Sequence, residues 1–512
     1  MISIEPSGEV HLCICPLEND GKNQLTFSDR RTQNNYFNTR IIKSTSNYTY
    51  IRQDESVSVD IPIDQIINCN YLFYRNNRFT DRYYYCFITD MKYLSENSTL
   101  ISFTTDVFQT WQFDINYKRC FVEREHVNND TIGIHTVPEG LETGEYIVNE
   151  TYSNVDFSDL CIVVAYSEKI DVTITNSRRL YGGILSGLFY RAFNNTSEGV
   201  NSFNDFINNY DDAGKSDAII SVFMLPKKLC GIVEGTIDKP ITSSDAPDTF
   251  DIEYSKETVV NGYTPKNKKV LTFPYNYLLV SNNSGASNIY QYELFNSDKC
   301  KFEVSASITP GGSVRLVPYN YKYATKNENE SLPGGKYPIC NWNSDVYTNW
   351  LTQNGVNIGL DVTSKLIGTG VSAATGNVLG TAGGLLSIAS TLASVYQHSL
   401  IPDTIKGNIN CGDVVSGDKR NTFLFYKMSI KAEYAKIIDD YFSMFGYKVN
   451  SLKKPNITGR RNWNYVKTID ANFDGAFPQT DMQKIKNMFN SGITLWHNPT
   501  TIYDYSQDNS II

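Results

Sequence analysis

The sequence predicts a mainly β, multidomain chain with a minor α component and one long uncharged hydrophobic insertion. Three observations carry that reading. Short runs of alternating apolar and polar residues, bounded by Asn, Gly, Ser and Pro turns, recur as far as about residue 325. Apolar residues at helical spacing are confined to a few stretches, mostly near the end. Residues 366–397, LIGTGVSAATGNVLGTAGGLLSIASTLASVYQ, hold no charged side chain at all. At 512 residues one core is too few, and roughly three domains are expected. The segments read as β over 1–150, mixed α/β over 151–250, a second β block over 251–335, an insertion over 336–420, and an α+β segment over 421–512.

Composition narrows the function classes. The chain is 41% hydrophobic and 13% aromatic, enough for folded cores. A net charge of −9 argues against a protein that grips phosphate backbones, since such binding rests on Lys and Arg. It leaves open a protein that nucleic acid slides past. The stretch MISIEPSGEVHLCICPL has Glu5 and Glu9 and no basic region, so no signal peptide is expected. The ten cysteines are scattered except for Cys13 and Cys15, with no CxxC and no Cys/His cluster at zinc spacing. They read as buried reduced thiols.

The β assignments follow from period two. In STLISFTTDVFQTWQFDI, residues Ile101, Phe103, Val107, Trp111, Phe113 and Ile115 fall on one face. Upstream, Tyr83, Tyr85, Phe87, Met91 and Tyr93 do the same, with Ser-Glu-Asn-Ser at 95–98 as the turn. This long hairpin then has one core face and one hydroxyl-rich face, suited either to solvent or to the wall of a wet channel. CIVVAYS, DVTIT and AIISVFML continue as strands over 155–226. A helix is expected at Val200–Tyr210, with Phe203, Phe206 and Ile207 on its inner face. FPYNYLLVSNN, NIYQYELF, CKFEVSAS and SVRLVPYNY form the second block. Near the end a helix over Ala432–Phe445 presents Tyr434, Ile437, Ile438, Tyr441 and Phe442, and closes at Gly446. Another runs near Asp481–Asn490, with Thr480 as its N-cap and Gly492 beyond it.

Candidate chemistry is sparse. The histidines are His11, His126, His135, His398 and His497, and none falls in a nucleophile or metal motif. Glu123-Arg124-Glu125 before His126 resembles an acid/base cluster, but an exposed strand end is the preferred reading. No catalytic residue, metal site or cofactor is predicted.

The strongest signal is therefore 366–397. As a helix it is ~48 Å long, against a ~30 Å hydrocarbon core. On a helical wheel Val371, Val378, Leu379, Leu385, Leu386, Ile388, Leu392 and Val395 share one face. Gly376, Gly380 and Gly384 lie opposite, in a ladder of small residues that lets helices approach closely. Burying its large aliphatics releases roughly 15–30 kcal/mol, too much to leave in water. Three readings are open: a constitutive span, a buried Gly/Ala-rich core helix, and a membrane-active loop held inside an assembly until use. Six glycines weaken the first.

Several stretches carry a resemblance: NQLTFSDRRTQNNYF at 23–37, NYLFY at 70–74, TTDVFQTWQFDI at 104–115, and CFVEREHV with VPEGLETGEY over 120–146. Further on stand FPYNYLLVSNNSG, PICNWNSDVYTNWLTQN at 338–354, IKAEYAKIIDDYFSMFGYKVN, RNWNYVK and ITLWHNP. In this order they resemble the tail knob proteins of small short-tailed bacteriophages of Gram-positive bacteria, the picovirus group. The resemblance implies a homohexameric ring at the virion tail tip, made in the host cytoplasm, with two β-barrel-like tube domains per subunit. It implies a hydrophobic loop that plugs the tube and then enters the host membrane, matching 366–397 here. Its partners are then its own copies, other tail proteins, host membrane lipids, and phage DNA passing without specific binding. The alternative is a receptor-binding adhesin without membrane activity. A cell-wall hydrolase would need a carboxylate or Cys/His constellation.

Overall fold

The computed structural model describes residues 8–51, 55–76, 82–153, 160–170, 180–181, 184–185, 188–241, 249–282, 285–306, 313–336, 339–341 and 423–512. The fold is mainly β, as the sequence predicts. It divides into two compact units. The first holds Met1–Thr143, Tyr263–Val270 and Ala432–Ile512; the second holds Gly144–Gly262 and Leu271–Lys431.

The first unit is built on a seven-stranded sheet. Its strands are β1 (Gly8–Cys13), β3 (Ile41–Thr45), β4 (Tyr48–Ile51), β5 (Ser56–Val59), β6 (Tyr71–Asn76), β7 (Tyr84–Ser95) and β8 (Ser98–Thr105), with β2 (Asn23–Leu25) belonging to another sheet. The spatial order is β3-β1-β6-β7-β8-β5-β4. The two edge strands, β3 and β4, are consecutive in the chain, with only Ser46 and Asn47 between them. Three Cα–Cα steps span no more than about 11 Å, so the sheet curls until its edges nearly meet. Asp60, just past β5, pins that seam by accepting from Thr45 Oγ1 at 2.5 Å and Asn47 Nδ2 at 3.0 Å. The result is a barrel-like sheet that is almost closed, which removes most exposed edge.

One face of this sheet packs Val10, Leu12, Val57, Leu72, Cys86, Ile101 and Phe103 together. The other presents Tyr71, Phe73, Tyr85 and Phe87 to Phe37 of the helix Arg30–Asn38 and to Trp463 and Trp496. Phe37 stacks on Tyr71 at 5.4 Å and meets Tyr85 at 4.6 Å. This half of the hairpin is therefore buried on both sides, not wet on one. A register shift between Ile88 and Asp90 then turns the strand over, so Met91 joins the first face instead of that of Tyr85. Beyond it Asp90, Lys92, Tyr93 and Leu94 are exposed.

The second hairpin strand is shorter than its alternation predicts. It ends at Thr105, and Val107–Trp111 is a short helix. Asp106 caps it, accepting from Gln109 N at 3.1 Å and from Tyr71 Oη at 3.0 Å. Val107 and Trp111 are four apart, a spacing that satisfies strand and helix alike, and the cap decides between them.

A five-stranded sheet completes the unit, in the order Asn23–Leu25, Ile493–Trp496, Trp463–Ile469, Cys120–Glu125, Tyr447–Lys453. The first pair is parallel and the rest antiparallel. The helix Ala432–Phe445 has the predicted bounds but a rotated inner face. It buries Ala435, Ile438, Asp439 and Phe442, while Ile437 is 65% exposed. Gly446 ends it at φ 65, where a Cβ would stand 2.2 Å from Glu125 O. The last helix is Gln479–Ser491, two residues longer at its start and one at its end than the prediction. Pro478, not Thr480, precedes it, and Pro478 O takes the N–H groups of Asp481 and Met482. Gly492 follows, as predicted.

In the second unit, strand Leu160–Tyr166 is buried at every residue. Cys161, Val163 and Ala165 face the main core; Ile162, Val164 and Tyr166 face the helix Ser197–Asp212. Thr196 caps that helix by accepting from Gly199 N, and Phe203, Phe206 and Ile207 pack inward as predicted. The sheet order is Asp238–Ile241, Phe189–Phe193, Leu160–Tyr166, Ile219–Pro226, Ile339–Asn341. A four-stranded sheet runs Tyr146–Ser153, Leu424–Ile430, Asn276–Ser281, Ser287–Tyr290. A third is built from Thr249–Ser255, Lys299–Ala306, Ser313–Tyr321, Ala324–Lys326 and Leu332–Lys336. Phe302, Val304, Leu278, Val280, Val163 and Phe425 from these sheets share one core. The DVTIT stretch at 171–175 lies outside the described residues.

Candidate functional site

All the residues read as a membrane-active face, Val371, Val378, Leu379, Leu385, Leu386, Ile388, Leu392 and Val395, lie outside the described residues, as do Gly376, Gly380 and Gly384. What the structure places is the pair of strands that flank them. Ile339–Asn341 pairs antiparallel with Ile219–Pro226, setting Phe223 opposite Ile339 and Val222 opposite Cys340. Leu424–Ile430 is an inner strand, bonded to Tyr146–Ser153 on one side and Asn276–Ser281 on the other. Phe423 and Phe425 are fully buried, and Phe425 sits 4.7 Å from Tyr254 and 5.4 Å from Phe302. Both stems of 342–422 thus belong to the second unit.

The downstream stem carries a charge cluster. Lys427 Nζ lies 2.5 Å from Glu257 and 3.0 Å from Glu150, with its side chain 9% exposed. Burial alone would lower the ammonium's pKa, but the two carboxylates outweigh it and hold it above the ordinary lysine range. Glu150 is held below the usual carboxylate range by hydrogen bonds from Tyr152 and Lys427. These ion pairs tie the strand to Glu150 of its neighbour and to Glu257.

The Glu123–His126 cluster is not an exposed strand end. Arg124, Glu125 and His126 are all buried. Arg124 donates to Gly446 O and pairs with Glu139, which also takes Lys269 and the N–H of Lys448. Glu125 pairs with Lys453 and accepts from Asn456 N. His126 Nδ1 accepts from Tyr465 N at 2.8 Å, so its proton sits on Nε2, which donates to Ser443 O at 3.1 Å. Burial, then the Arg460 charge, pushes its pKa down to about 3. Each of these groups is engaged by neighbouring structure, so none is poised to move a proton in a reaction.

That locked ring has a measurable consequence. The unfolded chain protonates His126 as pH falls through about 6.5, while the folded ring stays neutral. Stability is complete above that window and falls by up to about 1.4 kcal/mol per pH unit as the solution is acidified through it. Asp106, raised to about 6 by burial, works in the opposite sense, so parent and variant must be compared directly. The slope of unfolding free energy between about pH 6 and 4 is expected to be shallower in His126→Gln by about that amount. Equal slopes would show that the folded ring takes up a proton.

Among the described residues no three His, Cys, Asp or Glu side chains gather as a metal site. Eight cysteines are buried thiols, and burial raises the pKa of Cys15 to about 12. No helix among the described residues is long and apolar enough to cross a membrane.

Sequence reading missed Asp439 and its partners. Asp439 is fully buried, yet its carboxylate accepts from Tyr263 Oη at 2.8 Å, Lys266 N at 2.7 Å, and Asn267 N and Nδ2 at 2.8 Å each. The available signal was an acidic residue beside Ile438 on the inner helical face.

Comparison with known proteins bears on the whole chain. Residues 238–510 match the family described as Bacillus phage phi29, Tail knob protein gp9, C-terminal domain. Residues 9–116 match that of the caudoviral major tail protein N-terminus. Tail knob protein gp9 of Bacillus phage phi29 is 25% identical, with 97% of each chain covered. That of Bacillus phage PZA is 24% identical over 97% of each chain. The alignment with the phi29 protein runs to 589 positions, more than the 512 residues here, so that relative carries segments without a counterpart. The structure of the bacteriophage C1 tail knob protein, gp12, superposes with a TM-score of 0.66 at 15% identity, covering 99% of this chain and 100% of that one.

Proposed function

The chain belongs to the family of the phi29 tail knob protein gp9, and from that premise we propose that it forms the distal tail tube and opens the host membrane for the genome. It is a structural protein of the virion tail, not an enzyme. In the proposal it assembles with other tail proteins and with its own copies, most simply as a homohexameric ring. A nearly closed sheet with few free edges suits a ring wall. The −9 charge per chain, multiplied around the ring, lets DNA pass without holding it.

The observation that carries the membrane step is the uncharged stretch 366–397, inside the family-matched region and between two strands of one unit. Held in the tube it acts as a plug; released, its aliphatic face replaces water with lipid. Its Gly face lets neighbouring copies pack around a wet path. Dye release from liposomes tests this, comparing the full protein with a deletion of 366–397 and checking the mass of each by light scattering. The parent is expected to assemble and leak, and the deletion to assemble without leaking. Equal leakage would return the segment to the buried-core reading, and a deletion that still binds cells while the parent never leaks would favour the adhesin. A parent that stays monomeric in every condition would remove the ring.

A further inference from the structure

The four-stranded sheet of the second unit has two unlike faces. On one, Leu278, Val280, Tyr290 and Phe425 join the main core. On the other, three rows cross the sheet in register. Val148 stands opposite Met428, and Met428 opposite Tyr277. The next row runs Thr151, Tyr426, Leu279, Ile289. The third, at positions 153, 424, 281 and 287, holds three serines and a leucine. Tyr146 and Phe273 widen the first row, their rings edge-on to that of Tyr277 at 5.8 and 5.7 Å. None of these positions is charged. Val148, Ile289, Tyr146 and Phe273 are nonetheless 49, 45, 39 and 38% exposed.

A face turned to water is built differently in the same unit. The sheet that holds Lys299–Ala306 pairs Lys299 with Glu253, Lys301 with Asp251 and Lys326 with Glu303 on its outer side. The uncharged face has its ion pair only at one end, where Lys431 meets Glu145. Tyrosine and methionine in the middle, serine beside them and paired charge at the margin are the make-up of an interface core and its rim. Strands about 4.8 Å apart and about six residues long give the face roughly 400 Å². A standard interface hides about 800 Å² on each partner, so this face is large enough to form the core of one.

The chemistry selects the occupant. Lipid surfaces and nucleic acid are both met by unpaired Lys and Arg, and Lys431, beside this face, is neutralised by Glu145. A second copy suits it better. Chains that each carry a net charge of −9 repel one another, and an uncharged face lets them touch without burying an unpaired charge. We propose that this face is an interface between copies of this chain, a proposal that rests on the ring reading above. In a closed ring the contact runs head to tail, so the face meets a different surface of the next copy.

The test measures assembly and water access together in the full-length protein. Light scattering separates dilute monomer from assembled rings, and hydroxyl-radical footprinting is read residue by residue in each. Labelling of Tyr146, Tyr277 and Met428 is expected to fall at least about threefold on assembly, because an interface core excludes water. Val148→Glu with Ile289→Glu places one carboxylate on each edge strand of the sheet. This pair is expected to raise the concentration needed for assembly at least about tenfold, with the monomer's thermal midpoint unchanged. Should the double variant fold poorly, the footprint of the parent decides alone. Rings that form with unchanged labelling, or a folded double variant that assembles like the parent, overturn this face and leave the ring standing. A parent that is monomeric at every concentration removes the ring and this interface with it. Labelling that is already low in the monomer and rises on deletion of 366–397 assigns the cover to the chain's own segment and overturns the contact between copies.

Discussion

Leu385→Asp combined with Leu386→Asp is expected to assemble like the parent and to release at least about a hundredfold less dye from liposomes. Each carboxylate at the centre of a bilayer costs about 2.5–3.5 kcal/mol, and each lost leucine forfeits about 0.5 kcal/mol more. The sum, about 6–8 kcal/mol per chain, exceeds four decades in an insertion constant before copies are multiplied. One stem ends before the segment and the other begins after it, and both leucines lie outside the described residues, so assembly is measured beside leakage. Assembly therefore serves as the internal control. A double variant that leaks like the parent, with its rings intact, ends the membrane-loop proposal. The segment has no Asp, Glu, Lys or His, so any pH dependence of leakage must come from flanking groups such as Asp361, His398 or Asp403.

The sequence was legible where one periodicity had no rival. Ile219–Pro226, Asn276–Ser281 and the helices Ser197–Asp212 and Ala432–Phe445 stand close to where their patterns put them. It misled where two requirements coincide on the same spacing. Val107 and Trp111 fit a strand, yet Asp106 turns the chain into a helix. Tyr85 and Phe87 suggested a one-sided strand because alternation marks a face but cannot say that the opposite face is also covered. Glu123–His126 read as surface because charged residues usually are, while here each charge has an opposite charge more than ten residues away in sequence. The pairing of Asn23–Leu25 with Ile493–Trp496 had no local signal, since such contacts are set by tertiary packing. The candidate site itself was legible as composition alone.

Asp439→Ala is expected to give the largest loss of stability in the described structure, about 3–5 kcal/mol. Tyr263–Val270 belongs to the first unit although the residues flanking it in sequence belong to the second. It has almost no regular backbone pairing of its own, so Asp439 supplies the acceptors that a strand neighbour otherwise would. Removing the carboxylate strands the N–H groups of Lys266 and Asn267 and the Tyr263 hydroxyl, each worth about 1–3 kcal/mol if left dry. Asn267 Nδ2 keeps Asp439 O and Ser443 Oγ, which caps the damage. Asp439→Asn keeps one acceptor but turns an NH2 toward backbone N–H groups, so about 2–3 kcal/mol is expected there. Urea unfolding gives the totals, and hydrogen exchange at Lys266 and Asn267 shows where they arise. Faster exchange confined to these amides in both variants, with Ala worse than Asn, is the signature of the clamp. An Asp439→Ala protein that unfolds at the parent's urea midpoint would mean that packing of Ile438 and Phe442 holds the helix without it, and the carboxylate would lose its assigned role.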